Sequence, residues 1–127
     1  MSAIVFDSSV VIAILKQSRG FESAEKTLSD ALISTINLAE VATYLARNSV
    51  PSDTIQEVLA SFPIQVIPFE ETLAIQTGCL YPSCKHLGLS LGDRACLALA
   101  ISRKLPVLTA DQVWSKLDLG IPIQVLP

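Results

Sequence analysis

Short apolar segments alternate with helical repeats along the chain. The apolar segments predict strands at residues 3–6, 32–34, 65–69, 107–109 and 121–125. Between them, apolar residues recur at helical spacing, as Leu38, Val41, Ala42 and Leu45 do at i, i+3, i+4 and i+7. Strands that alternate with helices are typical of an α/β domain with a mainly parallel sheet.

The helical repeats predict helices up to about residue 16, at 21–30, around 38–45 and 55–62, from 70 to about 80 and at 91–104. A short helix is expected near Trp114, and a loop around Tyr81 and Pro82. Residues 95–101 are apolar on nearly every face, which predicts a helix packed deep in the domain. Because no repeat, linker or low-complexity segment interrupts the pattern, we expect residues 1–127 to form a single domain.

Composition and apolar run length bear on where the protein resides. Half of the residues are hydrophobic and 17% are charged, which argues against any long disordered stretch. Uninterrupted apolar runs such as residues 10–15 and 95–101 are far shorter than the roughly 20 residues that cross a bilayer. No basic stretch precedes an apolar run at the N-terminus. We therefore expect a cytoplasmic protein that does not associate with a membrane.

Several catalytic chemistries are excluded by the residues present. The single histidine, His86, excludes two-histidine ribonuclease chemistry and the H-E-x-x-H zinc motif. The three cysteines are odd in number and lack C-x-x-C spacing, which argues against a disulfide framework or a structural zinc site. Neither a Walker A loop nor G-x-G-x-x-G is present. The chemistry must come mostly from carboxylates.

Four carboxylates lie at junctions between predicted elements. Asp7 follows the first strand, and Asp111 follows the fourth. Glu40 lies in the first turn of the helix after the second strand, and Asp93 in the first turn of the buried helix. Because right-handed crossovers bring the carboxyl ends of parallel strands to one edge of a sheet, we expect the four to converge there.

Each of these acids, taken singly, is also explained by helix capping. Asn37 and Glu40, like Ser90 and Asp93, have capping-box spacing, and Asp7 and Asp111 could each be an N-cap. Capping does not explain why all four lie at one edge in apolar surroundings. Carboxylates crowded together repel one another, and burial penalises their charged forms.

A divalent cation would relieve both the repulsion and the burial penalty. Oxygen ligands favour Mg²⁺ or Mn²⁺ over zinc, and a cation held by carboxylates is typical of phosphoryl-group chemistry. The net charge is −3, but setting the four acids aside leaves eight acids against nine bases. The bases are scattered along the sequence and form no obvious stripe for nucleic acid.

Four segments resemble the PIN-domain family, and more narrowly the VapC-type ribonuclease toxins of prokaryotic toxin–antitoxin pairs. They are residues 5–9 (VFDSS), 37–40 (NLAE), 89–98 (LSLGDRACLA) and 106–111 (PVLTAD). The last two together are quite specific, and the resemblance covers essentially the whole chain in order and spacing. It implies a three-layer α/β/α domain with a mainly parallel central sheet of about five strands.

The resemblance also implies a function and partners. It implies that Asp7, Glu40, Asp93 and Asp111 are the catalytic and metal-binding residues of a Mg²⁺ or Mn²⁺ site for RNA phosphodiester hydrolysis. Supporting roles then fall to Ser8, Ser9, Asn37 and Thr109. Arg94, beside Asp93, is a candidate phosphate contact or a member of a surface ion pair. The family further implies a homodimer and a cognate antitoxin that covers the active-site groove.

Other functions remain open at this point. A catalytically silent PIN-like module could bind RNA or protein without cutting, although such modules usually lose acids. A phosphatase of the haloacid-dehalogenase type usually has a second Asp two residues after the first, where this chain has Ser9. A phosphorelay receiver domain would need an acceptor Asp after the third strand, and Phe69 and Glu70 stand there instead.

Overall fold

Five short parallel strands form the single sheet of the structure, a computed structural model that describes residues 2–127. The strands are β1 (Ile4–Phe6), β2 (Ala31–Ser34), β3 (Gln65–Ile67), β4 (Val107–Thr109) and β5 (Ile123–Val125). They lie in the order β3-β2-β1-β4-β5, and every neighbouring pair is parallel. The prediction of an α/β domain with a parallel five-stranded sheet is confirmed.

Seven α-helices and three 3₁₀ segments connect the strands. The α-helices are α1 (Ser8–Lys16), α2 (Phe21–Lys26), α3 (Thr35–Arg47), α4 (Ser52–Ala60), α5 (Glu71–Cys79), α6 (Tyr81–Cys84) and α7 (Leu91–Arg103). The 3₁₀ segments are Leu28–Asp30, Lys85–Leu87 and Gln112–Lys116. No helix among residues 2–127 has the length and apolar character needed to cross a membrane.

Several predicted element boundaries were wrong, including the end of β3, which lies at Ile67 rather than at residue 69. The helix predicted at 21–30 ends at Lys26, where the Thr27 hydroxyl donates to the carbonyl of Ala24 at 3.0 Å and the chain continues in a 3₁₀ turn. The loop predicted around Tyr81 is a helical turn, because Pro82 lies in its first turn, where a missing N–H costs nothing. Strand β5 begins after Pro122 rather than at residue 121.

The two faces of the sheet carry separate apolar cores. Along β1, Ile4 and Phe6 pack on one face with the buried side of α1, while Val5 packs on the other with α7. This alternation follows from the two-residue period of a strand. Trp114 is fully buried in the second core. Helices on both faces give the three layers.

Helix α7 is buried along its centre, which confirms the prediction from its apolar composition. Every residue from Ala95 to Ala100 is at most 2% exposed, including Cys96. Because the interior of the helix is fixed by this packing, its first turn is held at a defined place beside the sheet.

The strand order creates a crevice at one edge of the sheet. From β1 the chain moves outward to β2 and β3, and it then returns to place β4 on the other side of β1. Ligands in open parallel sheets bind at the carboxyl ends of the strands where the order reverses in this way. Residues that directly follow β1 and β4 therefore line the candidate site.

Candidate metal centre

Asp7 is the most deeply buried acid of the site. It directly follows β1, is 3% exposed, and accepts hydrogen bonds at Oδ2 from the hydroxyls of Ser9 (2.6 Å) and Thr109 (3.0 Å). Its other oxygen, Oδ1, is buried with no hydrogen-bond partner. Asp7 occupies the N-cap position of α1, but its side chain makes no capping bond. The capping explanation is therefore wrong for this residue.

The pKa of Asp7 is raised from 3.8 to about 6. Burial is the largest cause, and repulsion from Asp93 and Glu40 adds to it, while the hydrogen bonds from Ser9 and Thr109 oppose the rise. An unpartnered buried oxygen on a carboxylate whose charge is disfavoured leaves the site incomplete without a cation or a proton.

Glu40 lies in the second turn of α3, not in the first as predicted. The N-cap of α3 is Ser34, whose hydroxyl accepts from the Asn37 N–H at 3.1 Å, so Asn37 and Glu40 do not form a capping box. Glu40 instead accepts at Oε1 from the Ser8 hydroxyl and from Asn37 Nδ2, both at 2.9 Å. Its half-buried carboxylate is thus held in place by two donors on different helices.

Asn37 joins the two helices that carry Glu40 and Asp93. Its Nδ2 also donates to the backbone carbonyl of Gly92 at 3.0 Å, and its Oδ1 accepts from the Ser34 hydroxyl at 2.7 Å. The side chain is fully buried, so its partners are supplied by the protein itself. Asn37 therefore sets the position of α3 against the first turn of α7.

Gly92 is a site residue that the sequence reasoning missed. A Cβ on this residue would overlap the carboxylate of Glu40, so glycine allows that carboxylate to lie directly against the first turn of α7. A glycine inside a helix lowers stability by about 0.5–1 kcal/mol relative to alanine, so its presence needs a reason. Its position next to Asp93 was the feature of the sequence that indicated a role at the site.

Asp93 and Asp111 do cap helices, as the alternative explanation predicted. Asp93 Oδ2 accepts from the Ser90 N–H at 2.9 Å, and the two residues form a capping box. Asp111 Oδ1 accepts from the Val113 N–H at 3.0 Å, and its own N–H donates to the Thr109 hydroxyl at 3.1 Å. Capping uses one oxygen of each carboxylate and leaves the other available.

The fold brings the four predicted acids into one electrostatic cluster. The pKa of Asp93 is raised, mainly by burial and further by repulsion from Glu40 and Asp111, while its hydrogen bonds with Ser90 oppose the rise. Asp7 in turn is repelled by Asp93 and Glu40. Exposure increases from buried Asp7, through half-buried Glu40 and Asp93, to exposed Asp111.

The candidate ligand atoms are of the type that a hard divalent cation prefers, but the side chains are not arranged around a common point. All candidate ligands are carboxylate oxygens, and the unpartnered Asp7 Oδ1 is an available buried donor. Among residues 2–127, however, no three acidic, histidine or cysteine side chains stand in metal-ligating geometry. Ligation by three of these acids therefore requires their side chains to move closer together.

Arg94 does not form the ion pair considered from the sequence. Its Nη1 donates to the carbonyl of Thr77 at 3.1 Å, and its guanidinium carbon lies 5.4 Å from the centre of the Tyr81 ring. These contacts hold the guanidinium against α5 and α6. A phosphate contact from Arg94 stays a prediction.

The family model for the PIN domain matches residues 4–119, which is most of the chain. The chain belongs to the PIN domain family. No curated protein matches it by sequence. The family match confirms the resemblance seen in the sequence, and it accounts for the five-stranded PIN fold described above.

Solved structures share the fold of this PIN domain at low identity. A chain of DNA-bound VapBC from Salmonella typhimurium is 24% identical, with a TM-score of 0.74 and 98% of each chain covered. The toxin VapC20 of Mycobacterium tuberculosis, which cleaves the sarcin-ricin loop, is 18% identical, with a TM-score of 0.74 over 98% of this chain and 100% of that chain. VapBC2 from Rickettsia felis, bound to promoter DNA, is 16% identical with a TM-score of 0.73, over 98% of this chain and 99% of that chain.

Proposed function

We propose that this PIN domain is a divalent-metal-dependent endoribonuclease in which Asp7, Glu40, Asp93 and Asp111 hold Mg²⁺ or Mn²⁺. The observation that carries the proposal is the buried Asp7 carboxylate, with one oxygen unpartnered and its pKa raised to about 6. Other acids surround Asp7, and a cation would compensate their repulsion. The hard-oxygen donor set is the kind that Mg²⁺ accepts.

The residues around the acids would align them for phosphodiester hydrolysis. A bound divalent cation lowers the pKa of a water and neutralises charge on the phosphate. Ser9 and Thr109 fix Oδ2 of Asp7, which leaves Oδ1 free to ligate. Ser8 and Asn37 hold Oε1 of Glu40 in the same way.

We further propose that the chain acts as the toxin of a toxin–antitoxin pair in the cytoplasm. VapBC complexes are among the structures that share its fold, and the toxin VapC20 cleaves the sarcin-ricin loop. On this proposal its substrate is RNA, its partner is a cognate antitoxin, and it forms a homodimer. Sedimentation of the purified chain, alone and with the product of a neighbouring gene, tests the two assemblies.

A catalytically silent binding module is the second candidate. The capping bonds of Asp93 and Asp111 favour it, because these acids have a structural use that needs no metal. The two candidates differ in what Mn²⁺ does. Ligation pulls carboxylates together and stabilises the folded chain, whereas caps alone give no stabilisation by Mn²⁺.

The deciding experiment is cleavage of total RNA by the purified protein with Mg²⁺ or Mn²⁺. EDTA and Asp93→Asn should both abolish the fragments, while Asp53→Asn, an exposed acid on α4, should leave them unchanged. Equal cutting by wild type and Asp93→Asn would show contamination and remove the acids from their assigned role. If wild type cuts no RNA and shows no stabilisation by Mn²⁺, the silent module is the better description.

A further inference from the structure

A groove with two basic side chains opens beside the carboxylate cluster. It has a volume of about 400 Å³ and lies between α1, the turn after α1, and the segment after β4. Ser9 and Ala110 line its inner end, and Lys16 and Arg19 line it further out. Both basic side chains are exposed.

At the inner end of this groove, the side chain of Ser9 connects the groove to Asp7, the most buried acid of the site. The Ser9 hydroxyl lines the groove, donates to Asp7 Oδ2 at 2.6 Å, and accepts from the Ala110 N–H at 2.9 Å. Ser9 and Lys16 are seven residues apart on α1, which is two turns or about 10 Å along one face. A strand whose phosphate sits at the carboxylates can therefore extend along this face of α1.

The turn that carries Arg19 has a fixed backbone. The Ser18 N–H donates to the Ala13 carbonyl at 2.9 Å, and the Phe21 N–H donates to the Ser18 carbonyl at 3.0 Å. Gly20 has a φ of +87°, a conformation that glycine adopts without strain. Arg19 is thus presented from an ordered turn beside the groove.

Charge distinguishes this groove from the other one at the site. A larger groove of about 520 Å³ runs between α1 and α3, and its charged side chains are Glu40 and Arg47, which offset each other. The groove at Lys16 and Arg19 is lined by these two cations and by no acidic side chain, and Pro127 also lines it. An anionic strand gains more from the groove of Lys16 and Arg19, because each phosphate neutralised there releases counterions.

We propose that the groove of Lys16 and Arg19 binds backbone phosphates of single-stranded RNA on one side of the scissile bond. This rests on the proposed ribonuclease function and names its substrate-binding residues. Lys16 also lies in the last turn of α1, where a cation is favourable without any ligand, but Arg19 is outside the helix and has no such use. The turn after α1 therefore places both bases in one groove with Ser9.

The test is RNA affinity of a charge-neutralised groove in a protein that does not cut. Lys16→Gln/Arg19→Gln is made in an Asp93→Asn background, and binding of a short single-stranded RNA is measured with Mg²⁺ from 0.1 to 1 M salt. The groove variant loses two phosphate contacts, so its loss of affinity relative to the protein with both bases should be roughly 25-fold greater at 0.1 M salt than at 1 M salt. The slope of log affinity against log salt concentration should become shallower by about 0.7 per contact.

A matched control removes the same charge away from the site. Lys26→Gln/Arg103→Gln serves, because Lys26 lies beside Glu22 and Glu25, and Arg103 ends α7 at the opposite end from Asp93. At 0.1 M salt the screening length is about 10 Å, so distant charges contribute little to RNA affinity. Circular dichroism of both variants confirms that their folds are intact.

The outcomes separate this inference from the proposed function. Weaker binding and a lower salt slope in the groove variant alone support the proposal. An equal loss of RNA affinity in both variants, or no loss in either, overturns it. If the groove binds a protein instead of RNA, neither variant loses RNA affinity. If wild type still cuts RNA, the ribonuclease function survives that result. If wild type neither cuts nor binds RNA, both fail together.

Discussion

The buried carboxylate of Asp7 predicts an unusual dependence of stability on pH. Its pKa is about 6 in the folded chain against 3.8 as the ordinary value, so the folded state binds the proton more tightly than the unfolded state. Between these two values, the free energy of unfolding must therefore fall as the pH rises. A group with a depressed pKa would give the opposite slope.

The size of this effect follows from the two pKa values. Without metal, protonation of Asp7 should make the wild type about 2–3 kcal/mol more stable at pH 4 than at pH 7.5, with other groups held constant. Asp7→Asn cannot titrate, so it lacks this contribution. Any fixed cost of the amide, such as a buried N–H at the unpartnered position, is the same at both pH values and cancels in the comparison.

The assay is urea unfolding of wild type and Asp7→Asn in EDTA at pH 4 and pH 7.5. The stability difference between the proteins should change by about 2–3 kcal/mol between the two conditions, in favour of the variant at pH 7.5. Asp53→Asn, an exposed acid, controls for general charge effects. If the stability difference between wild type and Asp7→Asn is constant with pH, or shifts towards wild type at pH 7.5, the conclusion that burial disfavours the charged form of Asp7 is refuted.

Three further perturbations address the metal and the contact between α3 and α7. Mn²⁺ at 100 times its Kd should raise the free energy of unfolding by about 2.7 kcal/mol in wild type and much less in Asp93→Asn, as followed by thermal melts; equal shifts would place the ion elsewhere. Gly92→Ala should displace the Glu40 carboxylate, destabilise the fold by about 1–3 kcal/mol and abolish RNA cleavage. Gly78→Ala is its control, because a Cβ there meets nothing within 4 Å, and stability should be unchanged or higher; similar losses in both would show a general helix effect. Asn37→Ala leaves the buried Gly92 carbonyl without its donor and should cost about 1–3 kcal/mol in urea unfolding, and an unchanged midpoint would refute that role for the bond.

Topology could be predicted from the sequence because strand ends obey general rules. The prediction that Asp7 and Asp111 meet at one edge needs only parallel strands and right-handed crossovers. In the structure Phe6 pairs with Leu108, so the residues that follow them, Asp7 and Thr109, come into hydrogen-bond contact. Helix α7 was equally predictable, since its apolar residues leave no face for water.

The finer details depend on partners that are distant in the chain. Asn37 has a local partner in Ser34, but its bond to Gly92 spans 55 residues and has no local signature. The capping pattern that assigned Glu40 to a first turn overlooked Ser34, an equally good N-cap one turn earlier. By contrast, Lys16 and Arg19 are only three residues apart, and what the sequence does not show is that the turn after α1 places both in the groove that Ser9 lines.

The long-range bond between Thr109 and Asp7 has a consequence for biosynthesis. These residues are 102 positions apart, so β4, which carries Thr109, is translated long after β1. While the ribosome still holds that segment, the first strand has no neighbour on this side, and the carboxylate that follows it lacks both Thr109 and Asp111. A nascent chain therefore cannot assemble this cluster of acids until β4 has left the ribosome and paired with β1.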